Sequence, residues 1–114
     1  APSVMEEMSS NYFDLDCPSP YMLNVVNAKK LAKDKVPSVV HVDNTCRVQT
    51  VNQKDNREFY NLIKEFYKLT GVPILLNTSF NENEPIVMDP DHAINCFLRT
   101  EMDVLILNRY IILR

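Results

Sequence analysis

The sequence predicts an α/β (α+β) fold, a mixed twisted sheet with packed helices. Three observations carry it: short β-branched runs alternate with two helical patterns, the longer helical pattern closes at the only glycine, and two apolar runs near the C-terminus flank a turn. Residues 1–20 combine a short polar helix candidate at 6–12 with the turn-forming run Cys17-Pro18-Ser19-Pro20, and read as a lead-in to the sheet. Residues 21–26 form an apolar run suited to a strand. The lysine-rich stretch 28–35 follows as a solvated loop or helix face.

Residues 39–42 and 46–51 are two β-branched runs separated by Asp43-Asn44-Thr45, a composition that favours a tight connection between strands. Phe59, Leu62, Ile63, Phe66 and Leu69 recur at three- and four-residue intervals and predict a helix with one apolar stripe. Gly71 and Pro73 mark its end. Residues 73–76 read as a short buried strand running into the polar sequence Asn77-Thr78-Ser79-Phe80-Asn81. A second helix is expected from Asp89, a good N-cap with Pro90 at the first helical position, burying Ala93, Ile94, Phe97 and Leu98. Residues 104–107 and 110–113 read as closing strands joined around Asn108-Arg109. There is no internal repeat, low-complexity segment or domain linker, so residues 1–114 read as one domain.

The composition fits an ordinary globular chain: 114 residues, 46% hydrophobic and 24% charged. A net charge of −3 argues against a broad basic surface for nucleic acid or anionic lipid. No apolar run approaches the roughly 20 residues of a membrane span, and the expectation is a cytoplasmic protein without a membrane partner. Cys17, Cys46 and Cys96 are an odd number at wide spacing, with no CxxC pair and no histidine placed to complete a zinc site; free thiols in a reducing compartment are expected, and no metal site. The chain begins Ala-Pro-Ser without an initiator methionine and reads as part of a longer protein.

Two segments are more specific, VHVDNTCRVQTV over residues 40–51 and LLNTSFN over 75–81 with EPIV over 84–87. Together they resemble the O-carbamoyltransferase family that decorates nodulation factors and antibiotics. APSVMEE at the start, SPYM at 19–22, FLRTEMDVLIL at 97–107 and Tyr110 extend the resemblance over essentially the whole chain. The resemblance implies a two-domain enzyme. An upstream actin-like, metal-binding domain transfers the carbamoyl group, and a YrdC-like domain makes carbamoyl-adenylate from the substrates ATP and carbamoyl phosphate, with Mg2+ accompanying ATP. This chain is similar to the later part of the YrdC-like domain and is expected to be an incomplete domain. The family's upstream Lys and Arg residues and the transferase-domain metal lie outside it. Asn44 stands where many members have glycine, and asparagine tolerates a left-handed backbone.

Arg47 lies among apolar neighbours in a predicted strand, where a guanidinium either pairs with a local carboxylate, points outward or binds a phosphate bidentately. The resemblance places it on a phosphate-contacting arginine. Asn77, Thr78, Ser79 and Asn81 form a polar cluster directly after an apolar strand, suited to a ligand at a sheet edge, or to capping their own backbone. Ser79 and Asn81 match family positions expected to contact nucleotide or carbamoyl phosphate, and Asn77 joins them. His41 could donate to a phosphate or pair with a backbone carbonyl, and Tyr21 matches a position near the ligand or serves as core. Arg47 and Ser79 are thus the expected catalytic residues, and Tyr21, His41, Asn77 and Asn81 the expected substrate contacts. Glu84 and Asp43 are given no catalytic role, because displacement of pyrophosphate needs positioning and charge neutralisation more than a protein base. Two rival readings are a noncatalytic YrdC-like module for nucleotide or RNA, against which the acidic balance weighs, and a scaffold packing through its aromatic helix onto a neighbouring domain.

Overall fold

A computed structural model describes all residues, Ala1–Arg114, as a mixed α+β architecture with four α-helices and seven strands. Two compact units are present, Ala1–Asn77 and Thr78–Arg114. No helix is long and apolar enough to cross a membrane.

In the first unit β1 (Pro2–Met5) is the central strand of a three-stranded sheet, running parallel to β4 (Gln49–Val51) and antiparallel to β5 (Ile74–Leu76). All four residues of β1 are buried, the pattern of a strand covered on both faces. The sequence places β1 in the lead-in segment, because Pro2 and Ser3 within it hide its apolar character. Val4 and Ile74 pack on one face with Phe13, Ala32, Cys46 and Val48. Met5 and Val51 pack on the other, against Tyr60 and Ile63, as the strand's period of two dictates. A separate two-stranded ribbon pairs β2 (Val25–Asn27) antiparallel with β3 (Thr45–Arg47).

Three expected elements differ. Residues 21–26 do not form one strand: Met22 takes a left-handed backbone (φ 56) and its amide turns back to the Ser19 carbonyl, so pairing starts only at Val25. Residues 39–42 are not a strand. Pro37 starts a 3-10 turn, and the His41 and Asn44 amides then close a tight loop with Val42 fully exposed at its tip. Asn44 takes the left-handed conformation (φ 67) its composition allows. The run 46–51 divides into β3 and β4, with Val48 buried between them.

The lysine-rich stretch is helical over α2 (Lys30–Lys35), after the short α1 (Ser9–Tyr12) that completes the expected turn of helix at 6–12. The long helix α3 (Arg57–Thr70) is capped by the Asn56 side chain, which accepts from the Phe59 amide, and ends at Gly71 in the left-handed region (φ 72). Its buried face is Tyr60 and Ile63, with Phe59 and Tyr67 partly covered, whereas Leu62, Phe66 and Leu69 face outward. Both sets have helical spacing, and it is the set containing Tyr60 and Tyr67 that packs with Met5 and Val51.

In the second unit α4 (Pro90–Arg99) starts as expected, with Asp89 accepting from the His92 amide. It lies on the hairpin β6 (Val104–Leu107) and β7 (Tyr110–Leu113), turned at Asn108 (φ 52). Ala93 and Phe97 are buried with Leu105, but Leu98 is exposed and Ile94 lies at the margin. The hairpin is too narrow to cover the whole apolar arc of the helix.

Candidate functional site

The ribbon positions the first group of site residues. Cys46 is fully buried, so its neighbours Thr45 and Arg47 emerge on the opposite, solvent-facing side of β3. Arg47 is exposed and takes part in no side-chain hydrogen bond or ion pair, so its guanidinium is open to a planar anion. In the loop before the strand, the His41 Nδ1 lies 2.9 Å from the Thr45 hydroxyl, which donates to Asp43 Oδ1 at 2.7 Å. The same carboxylate oxygen accepts the Thr45 amide at 3.0 Å. The Thr45 hydroxyl, then its amide, hold the Asp43 carboxyl below the usual carboxylate range. His41 meets neither a backbone carbonyl nor an ion-pair partner through its ring, but a side-chain relay. Thr45 and Asp43 were not singled out as contacts from sequence; the polar, odd-numbered positions Thr45, Arg47 and Gln49 against Cys46 and Val48 were the signal.

Gln49 organises the second group. Its Oε1 accepts from the buried Ser3 hydroxyl at 2.6 Å and from the Asn77 side-chain amide at 2.8 Å, while its Nε2 donates to the Pro20 carbonyl at 3.2 Å. The Pro20 carbonyl can only accept, which fixes which end of the Gln49 amide faces it. The Asn77 amide nitrogen is directed at Gln49, so its Oδ1 is turned the other way, and its backbone amide extends the β1–β5 pairing by bonding Ala1 at 2.7 Å. Ser19 anchors the same segment through Thr50 and the Val48 carbonyl. Tyr21 is 79% exposed, which removes it from the core, and it lines a polar cleft of about 240 Å3 with Gln49, Asn52, Asp55 and Asn56. Gln49 is not among the expected contacts; its place in the alternating polar positions puts it on the outward face of its strand but does not select its hydrogen-bond partners.

Ser79 and Asn81 belong to the second unit. Ser79 is exposed and its hydroxyl has no partner within the chain. Asn81 donates to the Glu84 carbonyl at 2.8 Å, so it caps its own turn with Nδ2 and keeps Oδ1 as an acceptor. Glu84 is held by Arg99 at 2.5 Å. Its carboxyl sits below the usual range, through its own backbone amide first and Asn83 and Arg99 after it. This pair borders an apolar groove of about 500 Å3 lined by Pro85, Ile86, Val87 and Met88.

No group of three or more His, Cys, Asp or Glu side chains is arranged to hold a metal ion. Cys46 and Cys96 are buried, and burial raises both thiols above their usual range; Cys17 is exposed. Such thiols are packing residues rather than nucleophiles.

The first unit of this small α+β chain thus presents an unpaired arginine on its two-stranded ribbon and, in the loop before it, a histidine tied to Thr45. The chain belongs to the family described as Carbamoyltransferase C-terminus, whose sequence model matches residues 1–114. It is 43% identical to nodulation protein NolNO of Sinorhizobium fredii and 40% identical to nodulation protein NolO of Bradyrhizobium diazoefficiens, each over 98% of this chain and 17% and 21% of the relative. An uncharacterized protein of Synechocystis is 39% identical over 98% of this chain and 22% of its own length. The chain thus spans about a fifth of the length of these curated relatives.

Proposed function

We propose that the protein is an O-carbamoyltransferase and that this YrdC-like region helps bind ATP, with its Mg2+, and carbamoyl phosphate for carbamoyl-adenylate formation. An upstream actin-like domain then transfers the carbamoyl group to an acceptor hydroxyl. The observation that carries this reading is Arg47, an exposed guanidinium without any partner on a strand whose other face is packed. With no carboxylate neutralising it locally, this guanidinium is available to a phosphate through two parallel hydrogen bonds. His41 lies in the loop before the strand, tied to Thr45, while Asn77 bonds Gln49 and Tyr21 lines a cleft with it. Taken by itself, the second unit offers the free Ser79 hydroxyl and the Asn81 side-chain Oδ1 as groups that can meet a substrate.

In this reaction water releases phosphate from carbamoyl phosphate to leave carbamate, whose oxygen displaces pyrophosphate from the α-phosphorus of ATP, so catalysis consists largely of holding negative charge and aligning the reacting groups. An arginine and neutral hydrogen-bonding side chains suit that task, and no protein base is required. The test is pyrophosphate release by the full protein from ATP, measured with and without carbamoyl phosphate. Release that depends on carbamoyl phosphate is expected; release that ignores it overturns the reading.

A further inference from the structure

We propose that Asp43 and Thr45 hold His41 with its proton on Nδ1, so that Nε2 accepts a hydrogen bond from the amide of the carbamoyl group. The inference rests on the function proposed above. Its first half follows from hydrogen counting. Ionised Asp43 can only accept, and its Oδ1 lies 2.7 Å from the Thr45 hydroxyl, so that hydroxyl's single proton is committed to Asp43. The contact of 2.9 Å between Thr45 Oγ1 and His41 Nδ1 therefore needs its proton from the ring. In the neutral imidazole the other nitrogen is then a lone-pair acceptor. The loop supports this geometry from both sides, because the His41 amide donates to the Thr45 carbonyl at 2.8 Å and the Asn44 amide to the His41 carbonyl at 2.9 Å.

The second half follows from what such a nitrogen can bind. Phosphate oxygens are acceptors, so a neutral ring presenting Nε2 rejects them and selects an N–H or O–H donor. Arg47, two residues beyond Thr45 and on the same outward face, has the opposite preference. Thr45, to which His41 is tied, and Arg47 are separated by roughly 6–7 Å along the ribbon, which puts the two preferences within the scale of a small ligand with an anion at one end and a donor at the other. Carbamoyl phosphate has that polarity: phosphate for Arg47 and the carbamoyl amide for His41. Acetyl phosphate keeps the phosphate and replaces the amide by a methyl group, so it isolates the contact.

The experiment has two independent readouts on the full protein in mildly alkaline buffer. Nitrogen-15 NMR of histidine-labelled protein, with the His41 signal assigned by its loss in His41→Ala, reports the tautomer without ligand. Calorimetry compares carbamoyl phosphate with acetyl phosphate. Wild type should show a protonated Nδ1 and prefer carbamoyl phosphate by roughly 10-fold, the scale of one hydrogen bond. Thr45→Val, which keeps the β-branched shape, should lose both the tautomer bias and the preference while acetyl phosphate binding is unchanged; Thr45→Ser should restore both. A protonated Nε2 in the wild type overturns the relay. A correct tautomer with equal binding of the two phosphates overturns the recognition. Failure to bind either phosphate overturns the underlying functional reading instead, and the tautomer result stands apart from it.

Discussion

Gln49 and Asn77 are joined side chain to side chain, Oε1 to Nδ2 at 2.8 Å, across the two strands that flank β1. The same glutamine oxygen accepts from Ser3 on the central strand, and its nitrogen holds the Pro20 carbonyl next to Tyr21. One amide thus sets the orientation of Asn77 and of the segment that carries Tyr21.

Gln49→Leu is expected to destabilise the protein by about 1–3 kcal/mol, because the fully buried Ser3 hydroxyl loses its partner. Gln49→Glu separates the two functions of the residue. A carboxylate still accepts from Ser3 and Asn77 but opposes the Pro20 carbonyl. Hydrogen exchange should therefore rise around residues 19–22 in Gln49→Glu and not at Asn77. Equal exchange in wild type and variant would show that the Pro20 contact does not hold the segment.

Asp43 gives a pH dependence of definite sign. Its folded carboxyl is held below the ordinary range by the Thr45 hydroxyl and amide, so the loop is favoured above the ordinary aspartate range and the contribution is lost as pH falls through the depressed value. The side chain is exposed, so the effect is local. The Thr45 amide resonance should move in a single step below the ordinary aspartate titration, and Asp43→Asn should abolish the step. A step within the ordinary range would mean that the carboxylate is solvated and not tied to Thr45.

Helix α3 offers a stability test. Ile63 and Leu69 both belong to the stripe the sequence predicts, yet Ile63 is fully buried with Met5 and Val51 and Leu69 is 86% exposed. Ile63→Ala should cost about 2–5 kcal/mol in chemical denaturation. Leu69→Ala should stay within about 0.5 kcal/mol. Comparable losses would overturn the assignment of the helix faces.

That contrast also marks how far the sequence could be read. Elements with strong local signals were legible: the Asp89 and Pro90 start of α4, the Gly71 stop of α3 and the hairpin around Asn108 each rest on backbone chemistry within a few residues. The buried face of α3 was legible only in part: Ile63 and Phe59 of the predicted stripe turn inward, while Tyr60 and Tyr67 replace Leu62, Phe66 and Leu69 because the sheet beneath selects between competing apolar positions. β1 was not legible, since its burial depends on partners 46 and more residues away. For the candidate site, motif resemblance drew attention to Arg47, His41 and Asn77, and the structure supplied Thr45, Asp43 and Gln49 around them. Those residues act through hydrogen bonds whose partners cannot be chosen from spacing alone.

Arg47→Lys in the full protein is the sharpest test of the proposed chemistry. The substitution retains a positive charge but removes the planar fork that can give a phosphate two parallel hydrogen bonds. Arg47 is exposed and has no partner inside the chain, so the folded state loses almost nothing and the melting temperature should stay close to wild type. Adenylation is a different matter. Loss of a charge-assisted hydrogen bond costs about 1.5–3 kcal/mol, which corresponds to roughly a 10- to 150-fold fall in kcat/KM for pyrophosphate release. Ser79→Ala should reduce the same rate by less, since water can replace a hydroxyl. Transfer from supplied carbamoyl-adenylate should survive both changes, because that step is assigned to the other domain. An Arg47→Lys protein that folds normally and forms carbamoyl-adenylate at the wild-type rate would make Arg47 a surface residue of the ribbon and remove the phosphate contact from the proposed site.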